Sequence, residues 1–422
     1  MVLPHQFGRS SGQQIIASLD IGTHKIGMVI GEVGPDGKPL ILGVGLAPSQ
    51  GLRHGVVINF DQAIQSIRKA VQEAQLTAGI QIQDVIVGIA GEHVHSVNSR
   101  GVVGVSRPDH EIIDQDVDRV LEAARAIALP QDREVLHVIP QEFVVDNQGG
   151  IKNPVGISGV RLEAEVHIVT GAAASTQNII RSVSRAGLNV VGLVLEPLAS
   201  SCAVLDENEK ELGVALIDIG GGTTDLAIFY DGTIRHTAVI TLGGQNVTND
   251  IALGLKTPVE SAEAIKRNYG CAHQDALKQA GSFWVKGIGG RESREVSFQA
   301  LVAIIQPRME EIFSLVSKEI KRSDFGDRLA AGIVLTGGGA LLSGSEKLAD
   351  QVFGHESKLG IPQGFGGLIE SVQSPMMATG VGLVLFGIKN TCPSQIADAG
   401  RRSLWPRQWI DKAMNYIRKN FK

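Results

Sequence analysis

The chain is short of cysteine, of aromatics and of long apolar runs, and each shortage excludes something. Its three cysteines, Cys202, Cys271 and Cys392, show no metal-ligand spacing and cannot all pair. That argues against a disulfide framework or a zinc site and for a reducing compartment. Aromatic residues make up only 4% of the chain, so the core must come from Ile, Val, Leu and Ala. No stretch offers about 20 uninterrupted apolar residues, the length a membrane-spanning helix needs. Residues 1–14 are polar and lack the apolar run of a secretory leader. What the chain does have is 422 residues, 43% of them hydrophobic, which is enough for two well-cored lobes.

One short pattern occurs twice. Ser18-Leu19-Asp20-Ile21-Gly22-Thr23-His24-Lys25-Ile26 and Leu216-Ile217-Asp218-Ile219-Gly220-Gly221-Gly222-Thr223-Thr224-Asp225 each read as an apolar strand, a carboxylate, a glycine turn with hydroxyls, and a second apolar strand. Glycine turns let backbone N–H groups approach a phosphate chain closely, and Thr23, Thr223 and Thr224 can add hydroxyl donors. Asp20 and Asp218 would repel phosphate directly. They suit a hydrated Mg²⁺, which takes a few carboxylates and keeps several waters. One such hairpin is an ordinary turn; two in the same order point to a duplicated phosphate grip in two lobes.

Two further segments fit a nucleotide. Gly332 to Leu342 is a buried strand entering the glycine turn Gly337-Gly338-Gly339, against which a flat adenosine could lie, and a small helix over 344–352 should follow. Residues 257–267 read as a helix with Pro258 in its first turn, on which Glu263 and Lys266 share a face. Taken alone, that pair is a solvated ion pair.

These segments together resemble the actin, Hsp70 and sugar-kinase superfamily. By that resemblance the two hairpins are its phosphate loops and Thr336 to Gly339 its adenosine motif. Glu196-Pro197-Leu198-Ala199-Ser200 and Ala378-Thr379-Gly380-Val381-Gly382-Leu383 are its two connecting helices. The resemblance implies ATP with Mg²⁺ in the cleft: Gly22, Thr23, Lys25, Gly220, Gly221, Gly222 and Thr223 around the phosphates, Glu263, Lys266, Gly337, Gly338 and Gly339 around the adenosine, and Asp20 and Asp218 on the metal through water. It places Glu196 where it would orient the attacking water; otherwise Glu196 is a helix-start carboxylate. Asp225 could also hold metal or water. Hydrolysis needs charge neutralisation. The phosphate-facing lysine of the Hsp70 branch sits in a subdomain this chain lacks, and Lys25 follows the loop on a strand. Tight binding with slow or negligible hydrolysis is therefore expected.

Charge is unevenly placed. Residues 401–422 carry +6, whereas the whole chain is −5, so the rest is about −11. The acidic body gives no reason to expect nucleic acid as a partner. Wound at about 100° per residue from Trp405, Trp409, Ile410, Ala413, Met414, Ile417 and Phe421 share one half-circle, with Arg407, Asp411, Lys412, Asn415, Arg418, Lys419 and Lys422 in the other. Asn420 is the polar intruder. Packing on the chain's own core, pairing with a partner helix or a plain basic tail are the alternatives. Two Trp on an apolar stripe flanked by cations favour an interfacial helix on an anionic membrane. One such helix binds marginally, so stable attachment calls for several on one assembly.

The middle of the chain narrows the family. Asp84 to Gly91, residues 94–105, 134–145 and 162–170 read as strands, and Asp114 to Ala128 as an amphipathic helix with Val117, Val120, Leu121, Ala124 and Ile127 at helical spacing. An α+β insertion here, with His137-Val138-Ile139-Pro140-Gln141-Glu142-Phe143, Leu195-Glu196-Pro197-Leu198-Ala199 and Leu242-Gly243-Gly244, resembles the FtsA family of bacterial cell-division proteins.

That resemblance implies an α/β, two-lobed actin-like (ribonuclease H-like) fold with an α+β insertion in lobe one and a C-terminal amphipathic helix. Residues 1–14 would be an N-terminal tail; 15–83 and 165–205 the lobe-one core (1A); 84–164 the inserted subdomain (1C); 206–231 and 303–388 the lobe-two core (2A); and 232–302 the small lobe-two subdomain (2B). Residues 389–403 would be a linker and 404–422 the membrane-targeting helix. The family tethers polymers of the tubulin-like FtsZ to the cytoplasmic face of the inner membrane at the septum, assembles with itself and recruits later division proteins. Its small lobe-two subdomain receives the acidic C-terminal peptide of FtsZ, for which Arg291 and Arg308 are the cationic candidates here. Phe283 and Trp284 are expected in that subdomain's core. An ATP-driven chaperone would need a further domain after residue 387, a small-molecule kinase would not need the tail, and the pilus-assembly relative of FtsA is not expected to end in such a helix.

Overall fold

Both Asp-Ile-Gly segments close antiparallel hairpins in the computed structural model, which describes residues 15–35, 37–278 and 280–391. Ile15–Ile21 pairs with Lys25–Val33, setting Asp20 opposite Gly27. Val214–Ile219 pairs with Thr224–Tyr230, setting Asp218 opposite Asp225. The duplication extends beyond the hairpins. In each lobe a third strand, Pro39–Pro48 or Thr233–Ile240, continues the meander. A parallel strand, Asp84–Ile89 or Ile333–Thr336, lies on the other side. Lobe one completes a six-stranded sheet with Asn189–Leu195 and the short Gly366–Gly367; lobe two completes a five-stranded sheet with Ser357–Leu359. The central strands are buried on both faces, which is why they read as continuous apolar runs rather than alternating ones.

The chain returns to lobe one earlier than expected. Gly366–Gly367 pairs with Leu40 and Ile41, and in the last described helix, Ala378–Thr391, Val381, Val384 and Ile388 join the lobe-one core with Ile16 and Met28. Residues 378–388 therefore belong with lobe one, not with the lobe-two core. An all-round apolar helix does not declare in sequence which sheet it covers. This helix crosses Glu196–Val204 backbone to backbone: a Cβ on Gly382 would lie 2.0 Å from the Ala199 carbonyl oxygen.

The insertion is a four-stranded antiparallel sheet in the order Val94–Gly104, Arg161–Ala172, Arg133–Val145, Gln148–Ile151, covered by the helix Asp114–Arg125. Val117, Val120, Leu121 and Ala124 of that helix are buried. Its limits differ from 84–164. Asp84–Ile89 lies in the lobe-one sheet between Asn189–Leu195 and Ile15–Ile21, and Arg161–Ala172 pairs along its whole length inside the insertion. A short buried strand reads the same whichever sheet receives it. Likewise Thr233–Ile240 belongs to the lobe-two sheet. The small lobe-two subdomain thus begins after it, with the helices Gly244–Gly254 and Val259–Tyr269 and the hairpin Ser282–Val285 with Arg294–Ser297. Pro258 stands just before its helix as the N-cap rather than inside the first turn. Residues 1–14 and 392–422, and with them the amphipathic helix and most of the linker, lie outside the described residues.

Candidate functional site: the cleft between the lobes

Each hairpin turn is tied by one backbone bond. The Gly22 N–H donates to the Lys25 carbonyl at 3.0 Å, and the Gly220 N–H to the Thr223 carbonyl at 2.9 Å. The two turns face each other so closely that a Cβ on Gly222 would lie 2.8 Å from Thr23 Oγ1. His54 Nδ1 sits 3.0 Å from the Gly222 carbonyl and bridges the lobes beside them. Behind the turns, Ile333–Thr336 runs into Gly337, whose φ of +83° and approach to Asp218, 2.3 Å from a would-be Cβ to Oδ1, exclude any side chain.

A cavity of about 430 Å³ opens between these elements. Asp20, Gly22, Thr23, Lys25, Glu196, Asp218, Gly220, Gly221, Gly222, Thr223, Glu263, Lys266, Gly337, Gly338 and Gly339 all line it. Residues with no individual sequence signal line it too: His24, Gln245, Arg267, Leu341, Leu342, Met376 and Thr379.

Four carboxylates and one ammonium share its floor. Lys25 Nζ lies 2.5 Å from Asp20 Oδ2. Burial pulls the Lys25 ammonium down, and Asp20, with Asp218 and Glu196, more than reverses this, so it stays charged. Asp218 Oδ2 accepts from Ser200 Oγ at 3.0 Å and from Thr379 Oγ1 at 3.4 Å. One side chain from each connecting helix thus holds it. Asp225 Oδ2 accepts from Thr223 Oγ1 at 3.1 Å, while its Oδ1 has no partner among the described residues. Burial, with repulsion among the group, pushes Asp225 up to about 7. Burial also raises Asp218 to about 6 against the Ser200 hydrogen bond. Glu196 is raised well above the carboxylate range by burial and then by Asp20, Asp225 and Asp218. A site that holds acids this reluctantly as anions is one that a cation would relieve. Among the described residues no three His, Cys, Asp or Glu side chains converge closely enough to ligate a metal directly. The donor set therefore fits a cation held through water and a ligand's own oxygens, as Mg²⁺ is.

On the lobe-two wall, Glu263 and Lys266 form more than a solvated pair. Lys266 Nζ is 2.7 Å from Glu263 Oε2 and donates to the Gly244 carbonyl at 2.9 Å. Thr248 Oγ1 donates to Glu263 Oε2 at 2.5 Å, and Arg267 Nε to Oε1 at 2.9 Å. Burial opposes ionisation of Glu263, but hydrogen bonds from Lys266 and Thr248 outweigh it and hold the carboxyl at about 2.

The other candidates lie elsewhere. Arg308 is engaged within its own lobe, its guanidinium bidentate on Asp250 at 2.6 and 3.1 Å and also paired with Glu311. Arg291 borders a shallow hollow with Leu253, Lys256 and Ile288. Trp284 is 71% exposed and is not core. Its neighbour Phe283 is, stacking on Tyr269 and Phe298 with centroids 5.0 and 5.3 Å away. Adjacent strand residues face opposite sides, so both aromatics could not be buried together.

Comparison with known proteins decides the family. A family model for "Cell division protein FtsA" matches residues 215–382, and one for "SHS2 domain inserted in FTSA" matches residues 91–170. The cell division protein FtsA of Pseudomonas aeruginosa is 48% identical over 379 residues, 90% of each chain. The chain belongs to the FtsA family. FtsA of Escherichia coli K12 is 38% identical over 420 residues, 98% of this chain and 100% of that one. Among solved structures, a type IV pilus PilM–PilN complex superposes with a TM-score of 0.65 at 19% identity, covering 88% of this chain and 98% of that one. MreB5 of Spiroplasma citri bound to ADP does so with 0.54 at 14% identity, covering 92% and 99%. These distant likenesses establish the actin-like fold. The FtsA insertion match, 91–170, falls on the four-stranded sheet and omits Asp84–Ile89, in line with the topology.

Proposed function

We propose that this cell-division protein binds Mg-ATP in the inter-lobe cleft, polymerises, tethers FtsZ filaments to the cytoplasmic face of the inner membrane at the septum, and recruits later division proteins. One observation carries the nucleotide reading: both glycine turns, the Gly337–Gly339 turn and the Glu263–Lys266 pair bound a single cavity. Phosphates fit the two turns, with Thr23 and Thr223 as donors. The adenosine fits between Glu263, Lys266 and the Gly337–Gly339 backbone, against Leu342 and Met376. Mg²⁺, when bound, would supply charge neutralisation for the phosphates, with Asp20 and Asp218 reaching it through water.

Glu196 would orient a water at the start of the first connecting helix. Lys25 is already committed to Asp20, which leaves little cationic help for a leaving phosphate and supports slow hydrolysis. ATP then acts mainly as an assembly ligand, favouring the lobe arrangement it binds best.

The membrane reading rests on the sequence of residues 404–422 and on effective concentration within a polymer. Trp405, Trp409, Ile410, Met414, Ile417 and Phe421 would enter the acyl boundary, with Arg407, Lys412, Arg418 and Lys419 toward anionic headgroups. Among the described residues no helix is long and apolar enough to cross a membrane. For the acidic FtsZ peptide, Arg291 is the better-placed of the two arginines. Arg308 would have to release Asp250 first.

Co-sedimentation with anionic liposomes, with and without Mg-ATP, tests both halves. Binding that disappears in a chain ending at Gly400 and in Trp409→Glu, and that strengthens with Mg-ATP, is expected. Binding indifferent to the tail would sink the tether reading, while wild-type ATP affinity in Asp218→Ala would remove the cleft assignment.

A further inference from the structure

The inserted subdomain grips both lobes with one strand. Along Arg133–Val145, His137 and Ile139 are alternate residues and share a face, and Gln141, the extra residue of a bulge opposite Glu165 and Val166, also turns to the lobes. His137 Nε2 accepts a hydrogen bond from the Leu195 N–H at 3.0 Å. Leu195 ends the strand Asn189–Leu195 and is the N-cap of Glu196–Val204, a helix start with no side-chain cap. The group held by the insertion is therefore one residue from Glu196, in the cleft.

Four residues along, Gln141 Nε2 donates to the Ile234 and Arg235 carbonyls at 2.9 and 3.2 Å. That lobe-two strand, Thr233–Ile240, pairs with the Asp225 strand and leads to Gly244, whose N–H donates to the Gly220 carbonyl at 2.9 Å. Neighbouring strands add to the seam. His167 Nε2 lies 2.9 Å from Thr237 Oγ1, and Ser96 Oγ donates to the Thr237 carbonyl at 3.1 Å. The seam is thus polar and directional. Hydrogen bonds of this kind fix relative position more sharply than apolar contact and are lost as a unit when the partners shift.

We infer that the His137–Gln141 strand couples the insertion to the nucleotide cleft, with His137 a positioning residue for Glu196 and Gln141 its counterpart on lobe two. Displacement of the insertion, as by a partner seated on it, moves the Leu195 N–H and the start of the Glu196 helix; a ligand that sets Glu196 in the cleft is in turn felt by the insertion. To accept from Leu195 the imidazole must carry its proton on Nδ1. Burial keeps it neutral, lowering its pKa to about 4. The inference rests on the nucleotide reading of the cleft.

Hydrogen-exchange mass spectrometry of the full chain, free and with Mg-AMPPNP, tests it. In the wild type, Mg-AMPPNP should slow exchange in peptides over both hairpin turns and also change it over residues 133–145 and 190–196. In His137→Leu the hairpin protection should persist while the response over 133–145 falls at least about threefold. His137→Gln, whose Oε1 can replace Nε2 as acceptor, should restore it, and Gln141→Leu should weaken it independently. Protected hairpins with no response over 133–145 in the wild type, or His137→Gln behaving as His137→Leu, overturn the coupling. Hairpins left unprotected overturn the nucleotide reading itself, and the coupling with it.

Discussion

At the scale of single residues, the Gly337–Gly339 turn separates backbone conformation from cavity lining. Gly337 has φ +83° and no room for a Cβ, whereas a Cβ on Gly338 meets nothing nearer than Met376 at 3.9 Å, yet Gly338 lines the cavity. Gly337, at φ +83° and ψ 170°, occupies a region essentially confined to glycine, so Gly337→Ala should destabilise the fold by about 1–3 kcal/mol from the backbone alone, plus the clash with Asp218, read as a lower urea midpoint. Gly338→Val should unfold at nearly the wild-type midpoint and lose ATP affinity by about tenfold or more in equilibrium dialysis. Equal loss of stability in both would put Gly338 in the scaffold rather than in the ligand's path. That the two hairpins would face one cleft was legible in the sequence because the same strand, carboxylate and glycine turn occurs twice. The parts of Ser200, Thr379 and His54 were not. A helix hydroxyl or a loop histidine acquires its partner only when packing brings it to Asp218 or Gly222.

At the scale of elements, the two connecting helices cross backbone to backbone, and their crossing depends on one missing methyl. Gly382→Ala would drive a Cβ onto the Ala199 carbonyl, 2.0 Å away. The helices also carry Ser200 and Thr379, which hold Asp218. The substitution should cost about 1–3 kcal/mol as overpacking and weaken Mg-dependent nucleotide binding as well. A variant that loses stability but keeps Mg-dependent affinity would show that the helix crossing and the Asp218 site are independent. Elements with one solvent-facing side, such as the helix Asp114–Arg125 and the edge strand Val94–Gly104, could be placed from sequence because their buried and exposed residues recur with a period. Asp84–Ile89 and Ala378–Thr391 were assigned to the wrong body for the opposite reason. Apolar along nearly their whole length, they carry no periodicity that says which sheet or lobe surrounds them.

At the scale of the whole molecule, two sets of groups pull stability in opposite directions with pH. The insertion and its seam bury histidines. Burial lowers His93 to about 4, His137 to about 4 and His167 to about 3. Each titrates near 6.5 when unfolded, so each contributes stability that is present above that value and is lost as pH falls through it, at up to about 1.4 kcal/mol per pH unit per proton. The cleft carboxylates act the other way. Burial raises Asp218 to about 6 and Asp225 to about 7, so their contribution is fully present below the unfolded value of about 3.9, fades as pH rises, and is gone once pH has passed those values. The two windows overlap, so in the ligand-free chain the two sets offset each other between about pH 4 and 6.5, and neither changes stability above about pH 8. The proposed cation–phosphate ligand would stabilise the ionised carboxylates, and none of the three histidines lines the cleft. Mg-AMPPNP should consequently raise the melting temperature more at pH 8, where both carboxylates are ionised, than at pH 6. His167→Gln should remove one histidine's share of the acid loss, because an amide keeps the hydrogen bonds to Asn98 and Thr237 without a proton to gain, and should leave the ligand shift at pH 8 unchanged. Melting curves from pH 4.5 to 8.5 on both proteins, with and without the ligand, separate the two sets. A ligand shift uniform across pH would mean that the raised carboxylates are not the groups the ligand relieves.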